Sequence, residues 1–193
     1  MRLCFATNNG HKLSEIRQLV GDQFEIVSLN DIGHQGEIPE NFETMEENSL
    51  QKAEFIKNSY GVDCFADDSG LEVESINGDP GVRSARYAGP QRDSLDNNAK
   101  LLQELSGIEN RSARFKSVIS LVLGNSNIQF EGIVNGQIIE AFRGKEGFGY
   151  DPIFVPDGYE ITFAEMEMEE KNQISHRGIA VNKLVEYLKT LNG

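Results

Sequence analysis

Phe65-Ala66-Asp67-Asp68-Ser69-Gly70-Leu71 is the stretch on which the fold of this chain turns. An apolar run, Val62 to Ala66, stops at two adjacent carboxylates, a hydroxyl and a glycine. A short apolar run closed by a turn signal reads as a buried strand. Asp, Ser and Gly all favour turns. The expectation is a strand over residues 62–66, a turn over 67–70 and a resumed strand from Leu71 to Ser75. In open α/β sheets, ligands bind at the carboxyl ends of strands. Adjacent aspartates repel unless a cation or a proton separates them. Magnesium takes oxygen ligands, commonly one or two carboxylates plus substrate phosphates. The stretch is therefore either a metal and general-base site at a strand end or a solvated turn, and the flanking sequence has to decide.

Working toward the N-terminus, residues 2–6 read as a short strand and residues 12–20 as a helix with Leu13, Ile16, Leu19 and Val20 on one face. Between them, Thr7-Asn8-Asn9-Gly10-His11-Lys12 offers hydroxyl, amide and backbone N–H donors at a helix start. That geometry suits an anion, and Lys12 adds a point charge for phosphate. It is not a Walker A loop, because Leu13 follows the lysine. Residues 24–29 read as a second strand, 30–44 as irregular and acidic, and about 45–58 as a helix with Thr44 as N-cap. Glu40, Glu43 and Glu47 are carboxylates placed to complete a metal shell with Asp68, and Lys52 lies one turn beyond Asn48.

Toward the C-terminus, Asn77-Gly78-Asp79-Pro80-Gly81 is strong turn chemistry, and Arg83 and Arg86 follow it as an arginine pair suited to phosphate. A helix is expected from Ser94 to Leu105, then strands over 114–123 and 128–134 joined by a hairpin at Gly124–Asn127, with a third over 137–142. Gly147-Phe148-Gly149-Tyr150-Asp151 lacks the order of a dinucleotide fingerprint. Such a glycine-rich loop can stack Phe148 and Tyr150 on a flat base, with Asp151 as an acceptor. Ser175-His176-Arg177-Gly178 opens a last helix, about 176–191. His and Arg in a first turn oppose the helix dipole, which suggests that an anionic or base ligand compensates.

At 193 residues the chain is expected to form a single domain over 1–193. No run of eighteen apolar residues spans a membrane, and the N-terminus lacks a signal peptide's apolar region, so a cytoplasmic location is expected. Cys4 and Cys64 read as reduced core thiols, without the spacing of a zinc site. A net charge of −13 argues against nucleic acid as a partner. It leaves room for a small polyanion held by local lysines and a divalent ion.

Six segments, taken together, resemble the inosine triphosphate pyrophosphatase family. They are Ala6–Lys12, Glu47–Ala53, Ala66–Leu71, Pro80–Gly89, Gly147–Phe154 and Glu170–Gly178, in family order and spread over the whole chain. Met45 and Ser49 depart from the pattern as packing changes. The resemblance implies an α/β fold, with a mixed central β-sheet, flanking helices and two lobes around a nucleotide-binding cleft. It implies cleavage of non-standard purine nucleoside triphosphates between the α and β phosphates, with Mg²⁺ as cofactor and a homodimer as the assembly.

Carried over by motif, Thr7, Asn8, Asn9, Gly10, His11 and Lys12 bind the triphosphate. Asp68 is proton acceptor and metal ligand, and Ser69 contacts substrate. Phe148, Gly149, Tyr150, Asp151, Lys171, His176 and Arg177 frame the base and nearby phosphate, while Lys52 offsets phosphate charge. The second metal carboxylate is placed at Glu40, with Glu47 as the alternative. Arg177 carries only donors and would favour a 6-oxo purine over adenine. A Maf-like nucleotide pyrophosphatase is the competing enzyme reading, and a nucleotide sensor without turnover the non-enzymatic one. The Ser175-His176-Arg177 and Phe148–Asp151 segments argue against the Maf-like reading.

Overall fold

The computed structural model describes residues 1–21 and 24–191. In chain order come β1 (Arg2–Phe5), α1 (Gly10–Val20), β2 (Glu25–Val27), α2 (Met45–Tyr60), β3 (Cys64–Val73) and α3 (Ser94–Glu104). Then follow β4 (Ser112–Leu123), β5 (Ser126–Ile138), β6 (Phe154–Pro156), α4 (Met168–Ile174) and α5 (His176–Leu191). The strands form one six-stranded sheet in the order β2-β1-β3-β4-β5-β6. It is mixed: β1 pairs in parallel with β2 and β3, while β5 and β6 are antiparallel.

The decisive stretch differs from its reading. Asp67-Asp68-Ser69-Gly70 is not a turn; β3 runs through it as one ten-residue strand. Turn preference is a local bias, and strand formation is set by pairing and burial. Here β3 lies between β1 and β4, and every residue from Cys64 to Asp68 is buried. Likewise the separate strand expected over 137–142 does not form, because β5 continues unbroken to Ile138. The first helix starts at Gly10 rather than at residue 12, because Asn9 caps it, accepting from the His11 and Lys12 backbone N–H groups. α2 begins where the sequence indicates, with Thr44 accepting from Glu47 N, and ends at Gly61 in the left-handed conformation.

The chain divides into two compact units. The first comprises Met1–Asp68, Ser117–Gly132 and Arg177–Gly193; the second comprises Ser69–Lys116 and Ile133–His176. In the first unit both faces of the sheet are covered. Leu3, Phe5, Phe65, Ile119 and Leu121 pack on one face with Ile16 of α1 and with Val181, Leu184 and Leu188 of α5. The Phe5 and Phe65 rings stack with centroids 4.8 Å apart. Cys4, Ala6, Cys64, Ala66 and Val122 pack on the other face with Ala53 and Ile56 of α2. Cys4 and Cys64 are register partners and both are free. Burial pushes their thiols up to about 11 and about 12, which keeps them inert. The second unit has its own core, built around Phe115, Phe154, Phe163, Leu101 and Leu105. Among the described residues no helix is long and apolar enough to cross a membrane.

Candidate active site

Side chains alternate along a strand, so a strand running through Asp67 and Asp68 sends them to opposite faces. Asp67 follows Phe65 to the α1 and α5 face; Asp68 follows Cys64 and Ala66 to the α2 face. The repulsion expected between adjacent carboxylates is therefore relieved by the sheet itself.

Asp67 is fully buried among cations. Its Oδ2 lies 2.9 Å from Lys12 Nζ and accepts from Arg177 Nε at 3.2 Å. Arg177 Nη1 in turn donates to Glu15 Oε2, so cations and anions alternate from Lys12 through Asp67 and Arg177 to Glu15. Burial works to raise the Asp67 pKa, but Lys12, Arg177 and Lys52 outweigh it and hold the carboxyl far below the usual range. Burial lowers the Lys12 pKa, assisted by Arg177 and Lys52 and opposed by Asp67. Burial also works against the Arg177 charge, yet Asp67 and Glu15 raise its pKa overall.

Asp68 has a different setting. Its Oδ1 lies 3.5 Å from Lys52 Nζ, and its Oδ2 is buried without a hydrogen-bond donor. Lys52 Nζ also donates to Glu40 Oε1 at 2.6 Å. Burial raises the Asp68 pKa, and Lys52 and Lys12 only partly offset it. Burial likewise opposes the Lys52 charge, but Asp68, Glu40 and Asp67 raise its pKa. Of the two glutamates weighed for this place, Glu40 reaches Lys52 beside Asp68. Glu47 is exposed and accepts from Thr44 Oγ1 at 2.7 Å, closing the first turn of α2. Among the described residues no group of three or more His, Cys, Asp or Glu gathers as a metal centre. Two carboxylates, one with an oxygen that no donor meets, nonetheless match the ligand set magnesium takes when substrate phosphates complete its shell.

The loop before α1 spends part of its donor set on itself. Asn9 Oδ1 accepts from His11 N at 3.0 Å and Lys12 N at 3.2 Å, and Thr7 Oγ1 accepts from Asn9 N at 3.1 Å. Asn8 Nδ2 donates to Gly36 O at 3.0 Å. Gly10 and His11 are exposed at the helix start.

In the second unit the residues expected around a base form their own cluster. Asp151 Oδ2 accepts from Phe148 N at 2.7 Å and from Lys171 Nζ at 2.8 Å. The Lys171 ammonium sits 4.9 Å from the centroid of the Phe148 ring. Gly147 lies so close that a side chain there would strike Asp151 Oδ2. The His176 ring stacks on Phe115, 4.6 Å between centroids and 9° from parallel. Ser69 is half-buried on β3.

One expectation changes, and one residue has partners the sequence did not show. Tyr150 does not present a ring for stacking: it is buried in the core, and its hydroxyl donates to Ser84 O at 2.8 Å. Arg177 is 2% exposed, and two of its donors go to Asp67 and Glu15, so its assigned role at the base has to contend with those partners. Two residues went unread. Glu15 is a buried carboxylate on an otherwise apolar helix face, a signal visible as Glu15 beside Ile16. Asn98 Nδ2 holds Gly149 O at 2.7 Å; the adjacent Asn97-Asn98, poor formers in mid-helix, were its trace.

Comparison with known proteins places the whole chain among relatives. A model of the Ham1 family matches residues 3–187. A dITP/XTP pyrophosphatase of Christiangramia forsetii is 53% identical over 189 residues, covering 97% of this chain and 99% of that protein. One from Porphyromonas gingivalis is 50% identical over 188 residues, covering 97% of each. The structure of the Staphylococcus aureus Ham1 protein superposes with a TM-score of 0.90 at 35% identity, over 99% of this chain and 100% of that one. A HAM1 protein from Coxiella burnetii superposes with a TM-score of 0.91 at 35% identity, covering 98% and 99%.

Proposed function

Since the chain belongs to the Ham1 family, we propose that it hydrolyses non-standard purine nucleoside triphosphates, dITP, XTP and ITP, to the monophosphate and pyrophosphate. The observation that carries the proposal is the name dITP/XTP pyrophosphatase on relatives about half identical over nearly the whole chain. The chemistry of the side chains agrees with it. Hydrolysis of a phosphoanhydride needs charge neutralisation, a positioned water and a base.

Asp68 is the group assigned to orient the water and take its proton. Its longer contact to Lys52, 3.5 Å, and the raised pKa that burial gives it suit a base. Lys12 and Lys52, on the two faces of β3, supply positive charge for the polyphosphate, and the loop Thr7–Lys12 supplies the helix start. Asp68 and Glu40 are the carboxylates assigned to magnesium, which when bound would neutralise phosphate charge.

On the base side, Phe148 keeps a half-exposed ring, and Lys171, fixed by Asp151, brings donors beside it. A 6-oxo purine presents an acceptor to those donors, where adenine presents an amino group. The same proposal covers a cytoplasmic homodimer. Sedimentation at about twice the 21.5 kDa chain mass would support the dimer, and a single-chain mass would refute it.

The experiment is pyrophosphate release from ITP, XTP, dITP, ATP and GTP with Mg²⁺, for wild type and Asp68→Asn. Release from the first three far above ATP and GTP, lost in the variant, is the expected result. Equal turnover of all five would keep the hydrolysis and remove the base selection. No turnover of any would return the case to a Maf-like enzyme or a nucleotide sensor.

A further inference from the structure

The Lys52 ammonium lies between the two carboxylates assigned to the divalent cation, 2.6 Å from Glu40 Oε1 and 3.5 Å from Asp68 Oδ1. Its side chain is 7% exposed, so water does little to screen these contacts. A carboxylate oxygen already neutralised by an ammonium is a poorer metal ligand, and two cations drawn to the same pair of carboxylates repel each other. We infer that Lys52 competes with the divalent cation for Asp68 and Glu40. The triphosphate relieves that competition by drawing the ammonium onto its own oxygens, so cation and nucleotide bind with positive coupling. The inference rests on the reading of Asp68 and Glu40 as the cation's carboxylates.

The surroundings of Lys52 suit a side chain that swings while its backbone stays. Ser49 Oγ bonds Ser120 Oγ at 2.7 Å and Glu46 O at 3.0 Å, tying the first turns of α2 to β4. Asn48 grips the backbone of Phe42 from both sides, accepting from its N–H at 2.9 Å and donating to its C=O at 3.0 Å. That holds the segment just after Glu40 against the same helix. Against this fixed frame, lysine's four-carbon stem and three rotatable donors let the charge move between carboxylate and phosphate. Coupling of this kind is reciprocal: whatever the nucleotide does for cation affinity, the cation does for nucleotide affinity.

The test is Mn²⁺ binding without nucleotide, followed by the electron-spin-resonance signal of the free ion. The proteins are wild type, Lys52→Met, Lys52→Gln, Glu40→Gln, Asp68→Asn and the Lys52→Met/Glu40→Gln double variant, with circular dichroism to confirm that each folds. Both Lys52 variants are expected to bind Mn²⁺ about tenfold more tightly than wild type, within the usual range of coupling between ligands. Glu40→Gln is expected to shrink the gain in the double variant, because only Asp68 is then left for Lys52 to release. Equal affinity in wild type and both Lys52 variants, with Glu40→Gln still weakening binding, overturns the competition and leaves the two carboxylates as the site. Mn²⁺ binding indifferent to both Asp68→Asn and Glu40→Gln overturns the site reading, and the competition with it.

Discussion

On one face of β3, Asp67 is clasped by Lys12 at 2.9 Å and by Arg177 at 3.2 Å, and its carboxyl is held far below the usual range. On the other face, Asp68 meets Lys52 at 3.5 Å and has its carboxyl pushed up by burial. The residues are chemically identical and adjacent in sequence. What separates them is the two-residue period of the strand, which hands one to α1 and α5 and the other to α2. A carboxylate surrounded by cations is stable and unreactive. One buried beside a more distant cation, with its pKa raised rather than lowered, retains basicity. The two faces thus set an aspartate held by close ion pairs against the one proposed as the base.

The contrast can be broken most directly by the amide substitutions. Asp68→Asn removes the proposed base and one metal ligand, and kcat for ITP is expected to fall about a thousandfold, within the range for general-base loss. Its unfolding free energy in urea at neutral pH should hold or rise slightly, because the charge that burial opposes is gone. Asp67→Asn removes the anion between two buried cations. A broken buried pair costs about 3–5 kcal/mol, so this variant should unfold at markedly lower urea. If Asp67→Asn were as stable as wild type, or if Asp68→Asn were the less stable of the two, the assignment of roles to the two faces would be reversed.

The α2 start and the approximate places of most strands were legible in the sequence because their causes are local. Thr44 three residues before Glu47 is a cap whose partners lie within one turn, and it forms as read. The six motifs likewise pointed to the right family, because each is short and continuous. Three of the misreadings concern causes distant in the chain. Asp67–Gly70 looks like a turn until β3, set beside β4 in the sheet, runs straight through it. Tyr150 looks like a stacking ring until its hydroxyl meets the Ser84 carbonyl, 66 positions away. Glu15 and Arg177 are separated by 162 positions, so no window of sequence shows that each needs the other. That Glu40 rather than Glu47 reaches Lys52 beside Asp68 was hidden for the same reason, since the three are far apart in the chain.

The smallest effect, and the sharpest, is in the pH dependence of stability. Asp67 has a folded pKa depressed below its unfolded value of about 4. Below that unfolded value the unfolded chain binds the proton first, so Asp67 stabilises the fold fully above about pH 4 and loses its contribution only as pH falls further. Asp68 has a folded pKa raised above the same reference, so in the window just above about pH 4 the folded chain binds the proton first. Its charged form costs stability at neutral pH, and that cost is relieved as pH falls through the raised value. Urea unfolding in EDTA buffer between about pH 3 and pH 8 should therefore give difference curves of opposite slope. Wild type minus Asp67→Asn should be flat near neutrality and shrink below about pH 4. Wild type minus Asp68→Asn should instead grow more favourable to wild type as pH falls from neutrality toward about 4. Parallel curves would mean that the two faces of β3 do not differ in the way their charges are held.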